Sequence, residues 1–91
     1  MGALEERVKA VLRKHGVRRA GLFGSFVRGE AGPGSDVDVL VEFKEGVSLL
    51  DLVGVELELE RALRRKVDLV TYNSVHHLLR DRIFAEEVRI I

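Results

Sequence analysis

The sequence predicts an α/β (α+β) fold, a small mixed β-sheet with helices packed on it. Three observations carry that expectation. Helical and strand periods alternate along the chain in the order α-β-α-β-α-β-α. The 91 residues suit one domain, spanning 1–91, with one modest core. The link between the first and second strands is too short for a parallel crossover, so that pair is expected to be antiparallel.

Residues 3–15 carry Leu4, Val8, Val11 and Leu12 at helical spacing. His15-Gly16 ends this first helix, with Gly16 as its C-cap and His15 assigned to the helix end rather than to metal. Val17 to Phe23 is a short strand. Phe26 to Glu30 has room for one or two helical turns, and 31–35 (Gly32, Pro33, Gly34) is a loop by composition. Asp36 to Phe43 is the clearest strand, β-branched and alternating. Its period of two puts Asp36, Asp38, Leu40 and Glu42 on one face and Val37, Val39, Val41 and Phe43 on the other.

Lys44-Glu45-Gly46 reads as a turn. Ser48 is placed to cap a long helix from Leu49 to Arg65, with Asp51 in its first turn. Leu49, Leu52, Val53, Leu57 and Leu63 are assigned to its core stripe. Leu50, Val55, Leu59 and Ala62 widen the stripe beyond what one sheet needs, so this helix either packs on two sides or also meets a partner. Glu60 and Arg64 form a solvated i,i+4 pair. Val67 to Tyr72 is the third strand, and Asn73-Ser74 a turn. Val75, Leu78, Leu79 and Ile83 mark a last helix to about Glu86, and Val88 to Ile91 a short terminal strand. His76 and His77 are adjacent on that helix and do not share a face, a poor chelating pair. Phe23, Phe26, Phe43, Tyr72 and Phe84 are assigned to packing.

Composition excludes several classes. Lys plus Arg equals Asp plus Glu at 15 each, so no global basic field draws the chain to nucleic acid, and direct nucleic-acid binding is not expected. Cysteine is absent, which removes disulfide and thiolate metal chemistry. No apolar run approaches the ~20 residues needed to span a bilayer, and no signal peptide opens the chain. A cytoplasmic location follows as the default. Arg outnumbers Lys and glutamine is absent, a bias shared by heat-adapted proteins and GC-rich genomes.

The chemistry concentrates in residues 23–43. Asp36 and Asp38 share a strand face about 6–7 Å apart at Cα, which lets their oxygens converge on one or two divalent cations. An acidic strand start has the same look, so a third carboxylate matters. Glu42 lies about 13 Å further along and is out of reach. Asp68 interrupts the apolar run Val67–Val70. It is either the third ligand or the partner of Arg65 or Lys66. Gly24 lets backbone amides approach an anion, Ser25 adds a hydroxyl, and the turn beyond offers N–H groups to phosphate. Arg28 stands one turn on, placed to neutralise a phosphate. No Walker A loop and no G-x-G-x-x-G fingerprint occurs.

Gly24-Ser25, ten residues, then Asp36-Val37-Asp38 match the G-S-x10-D-x-D signature of the DNA polymerase beta-like nucleotidyltransferases. Gly24–Gly29, Ser35–Val41 and Arg65–Val70 closely resemble the minimal nucleotidyltransferases (MNT), and the likeness covers nearly the whole chain. The resemblance implies the nucleotidyltransferase fold. It implies that Asp36, Asp38 and Asp68 hold two magnesium ions, that Asp68 helps deprotonate an acceptor hydroxyl, and that Gly24 and Ser25 hold nucleotide phosphates. Arg28 as a phosphate contact comes from its spacing. The implied reaction is transfer of a nucleoside monophosphate, AMP from ATP, to a hydroxyl, with release of pyrophosphate. In that family, MNT proteins serve as antitoxins beside a helical HEPN toxin, some by modifying a toxin tyrosine.

Three functions are therefore weighed. The first is nucleotidyl transfer to a partner HEPN toxin. The second is a non-catalytic antitoxin that acts by occlusion through the wide apolar stripe of residues 49–63, with self-association into a homo-oligomer as a further use of that stripe. The third is transfer to an aminoglycoside-like small molecule, ranked lowest because 91 residues leave no room for an acceptor domain.

Overall fold

The computed structural model describes residues 2–30, 32, 35–75 and 77–91; Ala31, Pro33, Gly34 and His76 lie outside the described residues, as do the side chains of His77, Leu78 and Leu79. In chain order the elements are α1 (Gly2–Lys14), β1 (Val17–Phe23), α2 (Ser25–Arg28), β2 (Val37–Phe43), α3 (Leu49–Leu63), β3 (Val67–Thr71), a 3₁₀ turn (Tyr72–Ser74), α4 (His77–Glu86) and β4 (Val88–Arg89). The four strands form one sheet in the order β3-β2-β1-β4. β1 runs antiparallel to β2 and to β4, whereas β2 and β3 are parallel. The sheet is mixed: the short β1–β2 link requires the antiparallel pair, and the crossover through α3 allows the parallel one.

Strand alternation divides the side chains between two faces. Ala20, Leu22, Val37, Val39, Val41 and Val67 point to one face, where Val8, Val11 and Leu12 of α1 and Val55, Leu59 and Leu63 of α3 close the main core. A smaller core of Leu40, Tyr72 and Val75, with Phe23, Val70 and Ile83 against it, lies on the other face. α4 covers that second face through Ile83, and the polar end of the same face carries Asp38.

Local chemistry sets the helix ends. α1 stops at Gly16, whose φ of 74° falls in the left-handed region glycine adopts freely. His15 does more than end the helix: its Nε2 lies 2.9 Å from Glu58 Oε1 on α3, and Lys14 Nζ reaches the other oxygen at 3.0 Å. Ser48 opens α3 with a full capping box, its hydroxyl accepting from the Asp51 N–H and the Asp51 carboxylate accepting from the Ser48 N–H. The helix ends at Leu63, two residues before the expected end, because Arg64 takes a left-handed conformation. Glu60 does not join a solvated pair with Arg64; its Oε2 accepts the Val67 N–H at 2.9 Å and ties α3 to the start of β3.

One sequence expectation is overturned on α3. Leu49, Val53 and Leu57, assigned to the core, are 78%, 44% and 49% exposed, and Leu50 is 80% exposed. The buried residues are Val55, Leu59 and Leu63, supported by Leu52 and Ala62. At about 100° per residue, positions 49, 50, 53 and 57 fall within an arc of about 100°, and 52, 55, 59, 62 and 63 fall roughly opposite. The helix therefore has two apolar faces, and only one meets the sheet.

Candidate active site

The site is built on the ends of three strands and one tight turn. β2 and β3 are in register with Asp38 opposite Asp68, and β1 brings Phe23 opposite Asp38 from the other side. Parallel neighbours in register present their side chains on the same face, so Asp38 and Asp68 stand side by side. Asp36 lies exposed one residue before β2. Asp68 is not buried, contrary to the expectation for a residue inside an apolar run. It is exposed on the sheet face away from the main core, whereas Val67, next to it on the same edge strand, is buried in that core. Of the two ion-pair partners expected for Asp68, Arg65 is engaged elsewhere: its guanidinium donates to Gly32 O at 3.2 Å and lies 5.1 Å from the Phe26 ring centre. Arg65 thereby fastens the glycine loop and α2 to the start of β3.

Gly24 shapes the turn between β1 and α2. Its φ of 80° is left-handed, and a Cβ placed there would come within 2.1 Å of Asp38 Oδ2. Glycine is thus required twice, by backbone angle and by the carboxylate packed against it. The N–H groups of Val27 and Arg28 both bond to Gly24 O, which closes α2, and Gly29 ends it in a left-handed cap. The Arg28 guanidinium turns back across the cleft, 2.8 Å from Glu30 Oε1 and 3.0 Å from Glu86 Oε2 at the end of α4. A cleft of about 200 Å³ opens between these groups, lined by Phe23, Gly24, Arg28, Asp38, Arg82, Ile83 and Glu86. Other clefts, of about 260 and 310 Å³, lie near the far end of β2 around Phe43 to Val47 and hold none of these residues.

Electrostatics sets Asp38 apart. Its burial, followed by the neighbouring Asp68 and Asp36 carboxylates, pushes its pKa above the ordinary aspartate value, and Arg28 pulls it back. Like charges gathered on one sheet end favour a cation among them, and oxygen-only donors suit magnesium. Among the described residues, no group of three or more acidic or histidine side chains yet converges closely enough to hold one ion. Asp36, Asp38 and Asp68 share a sheet end and offer a suitable donor set, without forming a closed cluster. Glu42, expected to be out of reach, pairs with Arg18 at the other end of β2.

Sequence reasoning missed the α4 side of the cleft. Arg82 and Glu86 are separated from Gly24 by more than fifty residues, and no local spacing points to them. On the same sheet face, Glu87 lies over Gly21, where a Cβ would come within 2.1 Å of Glu87 Oε2. Glu87 accepts the Tyr72 hydroxyl hydrogen bond, and Arg19 lies 4.2 Å from the centre of the Tyr72 ring. Burial first, and then the Glu87 carboxylate, raise the Tyr72 pKa, so this phenol stays protonated as a structural donor.

The profile of the nucleotidyltransferase domain matches residues 4–91. A Methanocaldococcus jannaschii protein designated a protein adenylyltransferase is 51% identical over 88 residues, covering 97% of this chain and 95% of that one. The protein adenylyltransferase MntA of Thermococcus cleftensis is 40% identical over 93 residues, covering 93% and 94%. A solved structure described as a minimal nucleotidyltransferase is 39% identical and superposes with a TM-score of 0.81, covering 96% of this chain and 89% of that one. A crystal structure of a toxin–antitoxin with AMP-PNP superposes with a TM-score of 0.85 at 24% identity, covering 96% and 72%, and shows the shared fold. With its Gly-Ser turn set against an in-register Asp38–Asp68 pair, this chain belongs to the nucleotidyltransferase domain family and is of the minimal nucleotidyltransferase kind.

Proposed function

We propose that the chain, as a single domain over 1–91, transfers AMP from ATP to a hydroxyl of a protein partner, a tyrosine of a helical HEPN-type toxin, and so acts as the antitoxin of a toxin–antitoxin pair. The observation that carries the reading is the Asp38–Asp68 register pair beside a glycine turn that only glycine can occupy. The protein-adenylyltransferase relatives at 51% and 40% identity support adenylyl as the transferred group. Toxin–antitoxin structures of the same fold, one of them of an AMPylated HEPN toxin with its MNT antitoxin, support the class of acceptor.

In this reading Gly24 and Ser25 hold the triphosphate against the β1–α2 turn, and Arg28 faces its outer phosphates. Asp36, Asp38 and Asp68 are the residues that would hold two magnesium ions. When bound, magnesium supplies neutralisation of the triphosphate and of the charge that develops in transfer. The acceptor oxygen attacks the α-phosphorus, and the bond from that phosphorus to the bridging oxygen of pyrophosphate breaks. Asp68, exposed at the sheet edge, accepts the hydroxyl proton. Gly24 keeps the backbone low enough for phosphate to approach Asp38, and Arg65 ties both α2, which Ser25 opens, and the loop that leads to Asp36 to the start of β3. A cytoplasmic location goes with an ATP-consuming reaction on an intracellular partner. No described helix is long and apolar enough to cross a membrane.

The apolar outer face of α3 supports a second reading, in which docking alone neutralises the toxin. The two separate cleanly. Incubation of the chain with labelled ATP, magnesium and the purified partner should label the partner. The Asp36→Ala/Asp38→Ala variant should lower labelling at least about a thousandfold. Equal labelling by the variant would refute transfer at this site. Full neutralisation by an Asp36→Ala/Asp38→Ala/Asp68→Ala variant would leave occlusion as the mechanism.

A further inference from the structure

We propose that Arg82 on α4 is a second phosphate-contacting cation of the nucleotide cleft, and that Glu86 holds Arg28 and Arg82 in the position from which an incoming triphosphate takes them over. The inference rests on the reading of the cleft as a nucleotide site and goes beyond it to residues that no sequence signature marks. Among the described residues, Arg28 and Arg82 are the two cations lining the cleft that contains both Gly24 and Asp38. Glu86 engages one with each oxygen: Oε2 lies 3.0 Å from the Arg28 guanidinium, and Oε1 lies 3.8 Å from Arg82 Nε. A carboxylate between two guanidinium groups occupies the place that phosphate oxygens take in the same kind of pairing.

The charge balance favours the exchange. Asp36, Asp38, Asp68, Glu30 and Glu86 set five carboxylates around this end of the sheet; Arg65 is held on Gly32 O and the Phe26 ring, and Arg28 and Arg82 are the cations that line the cleft. A triphosphate entering that field needs both guanidiniums, and one of them has to be released from Glu86 to meet it. Arg82 is the easier to recruit: its side chain is 73% exposed and its contact with Glu86 is long, so reorientation costs little desolvation. Its long, flexible stem starts from α4, directly above the cleft floor formed by Phe23 and Gly24. Ile83, packed against the second core, fixes that turn of α4 over the cleft.

The proposal gives opposite signs for two neighbouring residues. Equilibrium binding of ATP and of AMP to the full chain with magnesium, by titration calorimetry, reads both. Arg82→Ala should weaken ATP about tenfold and AMP less than about twofold, because only ATP carries outer phosphates. Arg82→Lys should recover part of the loss. Glu86→Gln should tighten ATP about two- to fivefold, since a neutral amide competes less for the guanidiniums. Unchanged ATP binding by Arg82→Ala would overturn the Arg82 assignment, and weaker binding by Glu86→Gln would show that Glu86 props Arg28 rather than competing with phosphate. If the wild-type chain binds no nucleoside triphosphate at all, the nucleotide reading of the cleft fails, a result separate from wild-type binding that Arg82→Ala leaves intact.

Discussion

Gly24 is the residue on which the site is most finely balanced. Its left-handed backbone would strain any side chain, and its missing Cβ is the space that Asp38 Oδ2 occupies. Gly24→Ala should therefore do more than stiffen a turn. It displaces the Asp38 carboxylate, which is proposed as a metal ligand, and transfer activity should fall at least about a hundredfold. The thermal midpoint should fall by several degrees, the scale of a strained φ. A variant with near-normal transfer would show that Asp38 need not sit against the turn. At this scale the sequence marks Gly24, Ser25, Asp36 and Asp38 by spacing and strand period, and Asp68 as an acidic residue in an apolar run; the structure sets Gly24 against Asp38 and Asp38 beside Asp68. Arg82 and Glu86 carry no such mark, because their place at the cleft depends on how α4 folds back over the sheet. The exposure of Asp68 was equally hidden, since it depends on how much of each sheet face the helices cover, which a single strand's sequence does not record.

Among the elements, the boundaries of α1, β1 and β2 follow closely from period and caps, and the capping box of α3 was readable from Ser48 and Asp51. The burial of α3 was not. An apolar residue signals burial somewhere, but a helix with leucines in two opposed arcs does not say which arc faces the sheet. Val55, Leu59 and Leu63 win because they join the valines of the sheet and the apolar side of α1 in one core, with α3 set against α1 and β3. The α1–α3 contact also carries a pH dependence. Hydrogen bonds from His15 first, then Lys14, hold the Glu58 pKa below the ordinary glutamate value. A lowered folded-state pKa gives stability that is present above the unfolded pKa and is lost as pH falls through the folded one. The thermal midpoint of wild type should therefore exceed that of Glu58→Gln at neutral pH, with the gap closing as pH drops through and below the ordinary glutamate range. A gap that persists at pH 3 would mean that packing, rather than charge, accounts for the contact.

For the molecule as a whole, the sheet separates two tasks. One face and its polar end carry Gly24, Arg28, Asp38 and Asp68, while the far side of α3 carries Leu49, Leu50, Val53 and Leu57 with Val47 beside them. If that outer face seats the toxin partner, Leu50→Glu/Leu57→Lys should abolish co-purification of the two purified proteins. The substitutions lie on exposed positions, so the thermal midpoint should move by only a few degrees. Retained complex formation would place the partner elsewhere.

β1 and the turn that follows it carry a notch at each of two glycines, one beneath Glu87 at Gly21 and the other beneath Asp38 at Gly24. Neither position can gain an atom without moving a carboxylate. On the outer side of α3, by contrast, almost any side chain fits. Mutational tolerance is thus unevenly spread: the chemical face is closed to drift, and the outer helix is open to it. A lineage carrying this fold can change the company it keeps through a few leucine positions, while the reaction it performs is fixed by atoms that are not there.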